Sequence, residues 1–280
     1  RDVAPSRGLG DVYKRQNTDR LKRMFNDEYE VKNELYAGDI SFIGSMYNEK
    51  HNLYDRLCGV NDYTKGYLDA IMKVQRSIYG YFFLEDMLKG DVLDEMMRVC
   101  PVKPNEDGVE TVQYVYANYF LARRMATDER TDILSRVGRE LGRENKINLY
   151  TPDASVRFIN VNNKGTVDYY NEMPYVFRNS RINLNITLRS IKSGIPLRCM
   201  DICGAGGFLL SNYQADLYDV FVPGEDMVIY DSIDDLMNKC KYYLSHDAER
   251  RQIAQNGFGK IEEKHTYDVR FEEIFNRVFN

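Results

Sequence analysis

From residue 146 onward the chain alternates short apolar runs with longer amphipathic stretches. The runs "KINLYT" (146–151), "TVDYY" (166–170), "RINLNIT" (181–187), "GFLLSN" (207–212) and "DMVIY" (226–230) read as buried strands, rich in β-branched and aromatic residues. Helical periodicity fills 213–221, 232–245, 247–264 and 266–279, with Asp247 placed to cap the third of these. Further upstream, "DISFIGS" (39–45) is another short strand, and its Gly-Ser end suits a strand-to-helix turn. Alternating strands and helices with short connections predict an α/β fold, a Rossmann-like parallel sheet covered on both faces. Such sheets bind ligands outside the carboxyl ends of their strands. The candidate site therefore falls in the turns after Ile43, after Thr187 and around Asn212.

Residues 62–143 interrupt this alternation. Apolar positions in "YLDAIMKVQRSIYGYFFLEDML" and "VQYVYANYFLARRM" recur every three or four residues, which predicts a helical insertion. Its last helix is expected to open at Thr127, with Asp128 and Glu129 in the first turn. Residues 17–38 predict a polar helix, the remnant of an upstream domain or a linker. The first sixteen residues, "RDVAPSRGLGDVYKRQ", lack periodicity and an initial Met, and they resemble translated adapter sequence. They are set aside as a non-native leader, which leaves one domain over 39–280.

Composition narrows the choices of ligand. With 43% hydrophobic and 29% charged residues, a net charge of -5 and a pI near 5.4, the chain reads as a soluble globular protein. That balance argues against broad binding to nucleic-acid backbones but leaves room for a small phosphorylated ligand. No apolar run is long enough for a membrane span, and no secretory h-region is present, so a cytoplasmic location is expected. Cys58, Cys100, Cys199, Cys203 and Cys240 lack zinc-site spacing and read as plain buried thiols of a reducing compartment. His51, His246 and His265 are dispersed too, so neither a metal site nor a cofactor is expected.

The stretch "GIPLRCMDICGAGGFLLSN" (194–212) raises the question of a phosphate site. A dinucleotide fingerprint puts its glycines after a strand and before a helix. Here a helix comes first, then Gly204, Gly206 and Gly207, then a strand, which is the place of a helix C-cap. The other end of that helix suits phosphate better. Pro196 is expected at its first position, Gly194 gives flexibility in front, and the free N–H groups of Leu197 and Arg198 point outward. The Arg198 side chain adds a bidentate clamp. Asp201, one turn on, either accepts hydrogen bonds from ribose hydroxyls or complements the helix dipole. Among the 22 tyrosines and 13 phenylalanines, Tyr47 and Tyr213 border the expected cleft and are candidates to stack on a base or sugar.

The segment from Arg181 to Arg270 resembles the C-terminal half of the spore-maturation-protein-like glycosyltransferases, enzymes of GT-B fold with a "glycosyl transferases group 1" domain. The matching marks are Arg198-x-x-Asp201 with its following glycines, the Phe221 to Glu225 turn, and "IAQNG…HT…R" from Ile253 to Arg270. "DISFIGSMY" (39–47) resembles that domain's first strand and donor loop. The resemblance implies a nucleotide-sugar donor, with Gly44 and Ser45 lining its diphosphate and Arg198 pairing with it. It also implies that Asp201 binds the ribose in place of the usual Glu. Related retaining enzymes carry a second Glu, separated from that acid by seven residues; Ser193 stands there in this chain. The expected function is that of a metal-independent glycosyltransferase, its donor-binding half, with a glycan, protein or small-molecule acceptor. Two rivals are a non-catalytic nucleotide-sugar-binding module that docks partners through its helical insertion, and a dinucleotide-binding oxidoreductase. The second is disfavoured because no G-x-G-x-x-G follows a predicted strand.

Overall fold

The computed structural model describes residues 29–48, 52–104 and 110–279. The leader segment and the start of the polar helix lie outside these residues. Six parallel strands form one sheet: β1 (Gly38–Ile43), β2 (Ile147–Tyr150), β3 (Val161–Asn163), β4 (Ser180–Asn185), β5 (Leu209–Asn212) and β6 (Val228–Tyr230). Their order is β3-β2-β1-β4-β5-β6, that of a doubly wound Rossmann-like fold. The order reverses between β1 and β4, which opens a crevice at their carboxyl ends.

Each strand sends alternate residues to opposite faces, and the helices cover both. One face packs Ile40, Phe42, Ile182, Leu184 and Leu210 against α6 (Ala122–Leu141) and α9 (Ile233–Ser245). The other packs Leu209 against α7 (Met173–Asn179), α8 (Leu197–Gly204) and Ile261 of α10 (Asp247–Lys264). At the amino edge α1 (Tyr29–Tyr36) leans on α7, where the Tyr36 hydroxyl donates to Glu172 Oε1 at 2.7 Å and its ring stacks on Tyr175. The last helix, α11 (Tyr267–Phe279), follows α10.

The insertion has its own core, built from α2 (Asp62–Arg76), α3 (Leu84–Met87), α4 (Gly90–Val99), α5 (Val112–Val115) and the π turn Tyr116–Leu121 that leads into α6. The expected helix start at Thr127 is absent. The helix runs unbroken from Ala122, and the Thr127 hydroxyl bonds the carbonyls of Tyr47 and Arg123 instead of capping. Tertiary contact wins over a local start signal, because apolar positions before and after Thr127 are buried on one continuous helix. Ala122 and Met125 close the insertion's core while Ile133, Leu134 and Val137 pack under the sheet.

Three other expectations change. "TVDYY" is a loop, because the Asp168 carboxylate accepts the N–H groups of Tyr170 and Asn171 and turns the chain. The strand lies earlier, at the polar "VNN" of β3, set by pairing with β2 rather than by hydrophobicity. Helix α7, with Pro174 in its first turn, fills a stretch left without an element by periodicity. The segment 213–221 holds a short 3-10 helix, Ala215–Asp219, instead of an α-helix.

The cysteines carry a direct test of this packing. The expectation of five buried thiols holds for Cys199, Cys203 and Cys240 but not for Cys58, which is exposed, or Cys100, which is half-buried. Burial pushes the thiols of Cys199 and Cys240 up to about 12 and that of Cys203 well up. Native-state labelling should modify the exposed Cys58 first and Cys100 more slowly, and should reach the other three only on unfolding. Peptide mass spectrometry showing early modification of Cys203 would mean that α8 does not seal against the sheet.

Candidate functional site

The carboxyl edge is organised by buried polar groups of β4 and β5. Asn185 Nδ2 donates to Thr187 Oγ1 at 2.8 Å and to Ser211 Oγ at 2.9 Å. Asn212 accepts the Thr187 N–H and returns its own Nδ2 to the Thr187 carbonyl. Satisfied this way, the strand ends are rigid, and they launch the loop 188–196 toward α8.

Helix α8 begins at Leu197, one residue later than expected, with Pro196 as its N-cap. No side chain caps it. The Cys199 N–H returns to the Pro196 carbonyl, and the amides of Leu197 and Arg198 occupy the first two helical positions, where helices leave donors for an external acceptor. Gly194 has φ 90°, which a side chain would strain. Its N–H is already taken by the Asp216 carboxylate. Arg198 Nη1 lies 3.9 Å from Asp201 Oδ2, and its guanidinium sits 5.4 Å over the Phe177 ring while donating to Met173 Sδ. Asp201 is largely buried and accepts the Tyr169 hydroxyl at 2.6 Å. Arg198, Asp201 and Tyr169 thus form one cluster beside the uncapped helix end.

Gly44 and Ser45 follow β1 across the switch point, both half-buried. A Cβ at Gly44 would meet the tip of the Phe42 ring at 2.9 Å, so any side chain there must displace that ring. Tyr47 has φ 54° and is buried; its ring packs under the Arg130 guanidinium at 4.4 Å. Arg130 donates to the carbonyls of Ser45 and Ile186, joining the exits of β1 and β4. Burial depresses its pKa. The structure thus brings Gly194, Leu197, Arg198 and Asp201 together on the β4–α8 side and holds Gly44, Ser45 and Tyr47 on the β1 side. Tyr213 packs against the insertion at Gly80.

Arg130, Glu129, Arg189 and Tyr169 escaped the sequence reading. Arg189 Nη2 meets Glu129 Oε1 at 2.6 Å, and both side chains are 4% exposed. Local pattern holds no trace of that pair, since its members are 60 residues apart. The adjacent Glu-Arg at 129–130 reads as an ordinary solvated helix face until the sheet is placed over it.

The matched motifs also have structural duties. Asn256 of α10 donates to the Glu225 carbonyl, Lys260 pairs with Asp226 at 2.6 Å, and Gly257 lets the helix approach the Asp226 backbone. The tail motif thereby clamps the Phe221–Glu225 turn. Residues 123–276, more than half of the 280-residue chain, match the family described as glycosyl transferase-like.

The chain belongs to the glycosyl transferase-like family.

The family span starts within α6 and includes α8 with its Arg198–Asp201 cluster. Among solved structures the chain is similar to TarM, with 16% identity over 52% of this chain and 32% of that one and a TM-score of 0.41. It therefore spans well under half the length of that structure. No curated protein matches the chain. Among the described residues no group of three or more His, Cys, Asp and Glu could hold a metal ion, and no helix is long and apolar enough to cross a membrane.

Proposed function

We propose that this chain is the donor-binding half of a GT-B glycosyltransferase of the spore-maturation-protein-like kind, which moves a sugar from a nucleotide-diphosphate sugar to an acceptor hydroxyl. The observation that carries the reading is the pairing of Arg198 and Asp201 on the first turns of an uncapped helix at the carboxyl edge, beside the switch point. In the reaction, the bond between the sugar's anomeric carbon and the donor phosphate oxygen breaks, and its electron pair leaves with the diphosphate. The acceptor oxygen forms the new bond, and its proton passes to the departing diphosphate or to water. Charge grows on the leaving diphosphate, where the amides of Leu197 and Arg198 and the Arg198 guanidinium neutralise it. For this Arg198 exchanges its Met173 contact for a phosphate oxygen. Gly44 and Ser45 line the diphosphate from the β1 side. Tyr47 shapes that loop through Arg130, and Gly194 supplies the turn that presents the helix end. Asp201, oriented by Tyr169, accepts hydrogen bonds from the ribose hydroxyls. No metal ion is assigned a part in donor binding.

Calorimetry with nucleoside diphosphates tests these roles. Arg198→Ala should weaken binding by about 1.5–3 kcal/mol, the range for hydrogen bonds to charged groups. Asp201→Asn should weaken nucleoside diphosphates and spare pyrophosphate, which carries no ribose. Both effects should persist in EDTA. Equal affinities for parent and Arg198→Ala would remove that residue from the site, and strict dependence on manganese or magnesium would overturn the metal-free mechanism.

A further inference from the structure

The insertion contributes a wall to the carboxyl edge. Its loop between α2 and α3 faces the segments leaving β4 and β5, and a cavity of about 190 Å³ lies between them. Arg189 and Tyr79 form the base, with the guanidinium 3.2 Å from the ring centroid and held there by Glu129. Tyr213 forms one side. Gly80, at φ 78°, touches it so closely that a Cβ would come within 2.8 Å of Tyr213 Cε1. At the mouth the Tyr81 hydroxyl donates to Asp86 Oδ2 at 2.9 Å, and Lys192 reaches Glu85 at 2.9 Å.

This lining combines aromatic faces with a carboxylate acceptor and an ammonium donor in a space for one small ring. An apolar ligand would cover the charges of Asp86 and Lys192 and add nothing to their bonds with Tyr81 and Glu85. A polyanion would meet the carboxylates of Glu85 and Asp86. A pyranose answers both demands, since it offers a C–H face to a tyrosine and hydroxyls that donate and accept. The cavity also adjoins the helix end that receives the diphosphate. Lys192 lies two residues before Gly194, and Ala215 on the cavity wall precedes Asp216, whose carboxylate takes the Gly194 N–H.

We infer that this cavity holds one pyranose ring, and that the helical insertion selects it together with the segments leaving β4 and β5. The inference rests on the donor site proposed above. The ring belongs to the donor's sugar or to a sugar acceptor; the chemistry is the same, and experiment separates the two.

The full chain, Tyr213→Ala and Asp86→Asn are compared, each first checked for an unchanged melting profile. Asp86 is exposed and off the packed core, so its variant keeps the comparison open should Tyr213→Ala loosen the loop. Calorimetry uses uridine, guanosine and thymidine diphosphates and their hexose conjugates. Saturation-transfer NMR uses methyl hexosides added with the preferred diphosphate. The plain diphosphate should bind all three proteins alike. If the ring is the donor's, one conjugate binds the parent best and both variants lose that preference by about ten-fold or more. If it is the acceptor's, conjugate affinities hold and the methyl hexoside signal disappears in both variants. Variants that match the parent in both measurements overturn the inference while the donor site stands. A parent chain that binds no diphosphate overturns the donor site, and the inference with it.

Discussion

Glu129→Ala should cost about 3–5 kcal/mol of folding stability, because it leaves the buried Arg189 guanidinium without its carboxylate. Both side chains are 4% exposed, and Arg189 Nε and Nη2 both donate to the Glu129 carboxylate. Burial opposes the charge on Arg189, but Glu129 and Tyr79 outweigh it and hold its pKa above the ordinary value. Without Glu129 the cation keeps the Tyr79 ring and the carbonyls of Arg76 and Ile78 but no carboxylate in hydrogen-bond contact among the described residues. Urea unfolding of Glu129→Ala should show a large fall in midpoint. The double variant Glu129→Leu/Arg189→Leu should recover much of the loss, since an apolar pair of similar volume removes the stranded charge. A loss below about 1 kcal/mol is typical of an exposed ion pair, and it would show that the insertion does not close over this edge.

Gly207→Ala should cost about 3 kcal/mol, the upper part of the range for overpacking a filled interior. A Cβ there would stand 2.6 Å from the Phe177 carbonyl and 2.8 Å from Asn183 Nδ2, neither of which has room to move. Gly206→Ala should cost less, about 1–2 kcal/mol, through its left-handed backbone at φ 76°. Its nearest neighbour, Arg178 Nη1 at 3.3 Å, is the end of a flexible side chain. Both glycines close α8: the Gly206 N–H returns to the Cys203 carbonyl and the Gly207 N–H to that of Ile202. Thermal unfolding and diphosphate affinity measured together decide the role of the stretch. A Gly207→Ala protein that melts normally but loses the ligand would make it a phosphate cradle.

The helix-stop reading of Gly204, Gly206 and Gly207 could be drawn from order alone, since a helix followed by glycines and then a strand leaves one conformational solution. Strands β1, β2, β4, β5 and β6 were legible for a related reason, as each carries the apolar and β-branched positions of a buried strand. The place of Asp201 one turn beyond Arg198 was legible too, whereas their 3.9 Å approach and the Tyr169 hydroxyl on Asp201 were not. All of these signals are local. Strand β3 was hidden because "VNN" gains its stability from the Val161 and Asn162 pairing with Ile147 and Asn148, not from its own hydrophobicity. The "TVDYY" run misled because its apolar content outweighs a single turn-forming Asp168 in any pattern count. Thr127 misled for the opposite reason, as a good cap sequence lay inside a helix that packing extends on both sides.

The sequence by itself determined the alternating α/β order and the family motifs, each written within one element or one turn. Only the tertiary structure decided that the insertion reaches back over the carboxyl edge. It does so through Glu129 and Arg189, 60 residues apart, and through Gly80 against Tyr213. Contacts of that kind join residues far apart along the chain, through burial that strengthens a charge pair and a glycine that permits close approach. Neither requirement leaves a periodic mark along the chain.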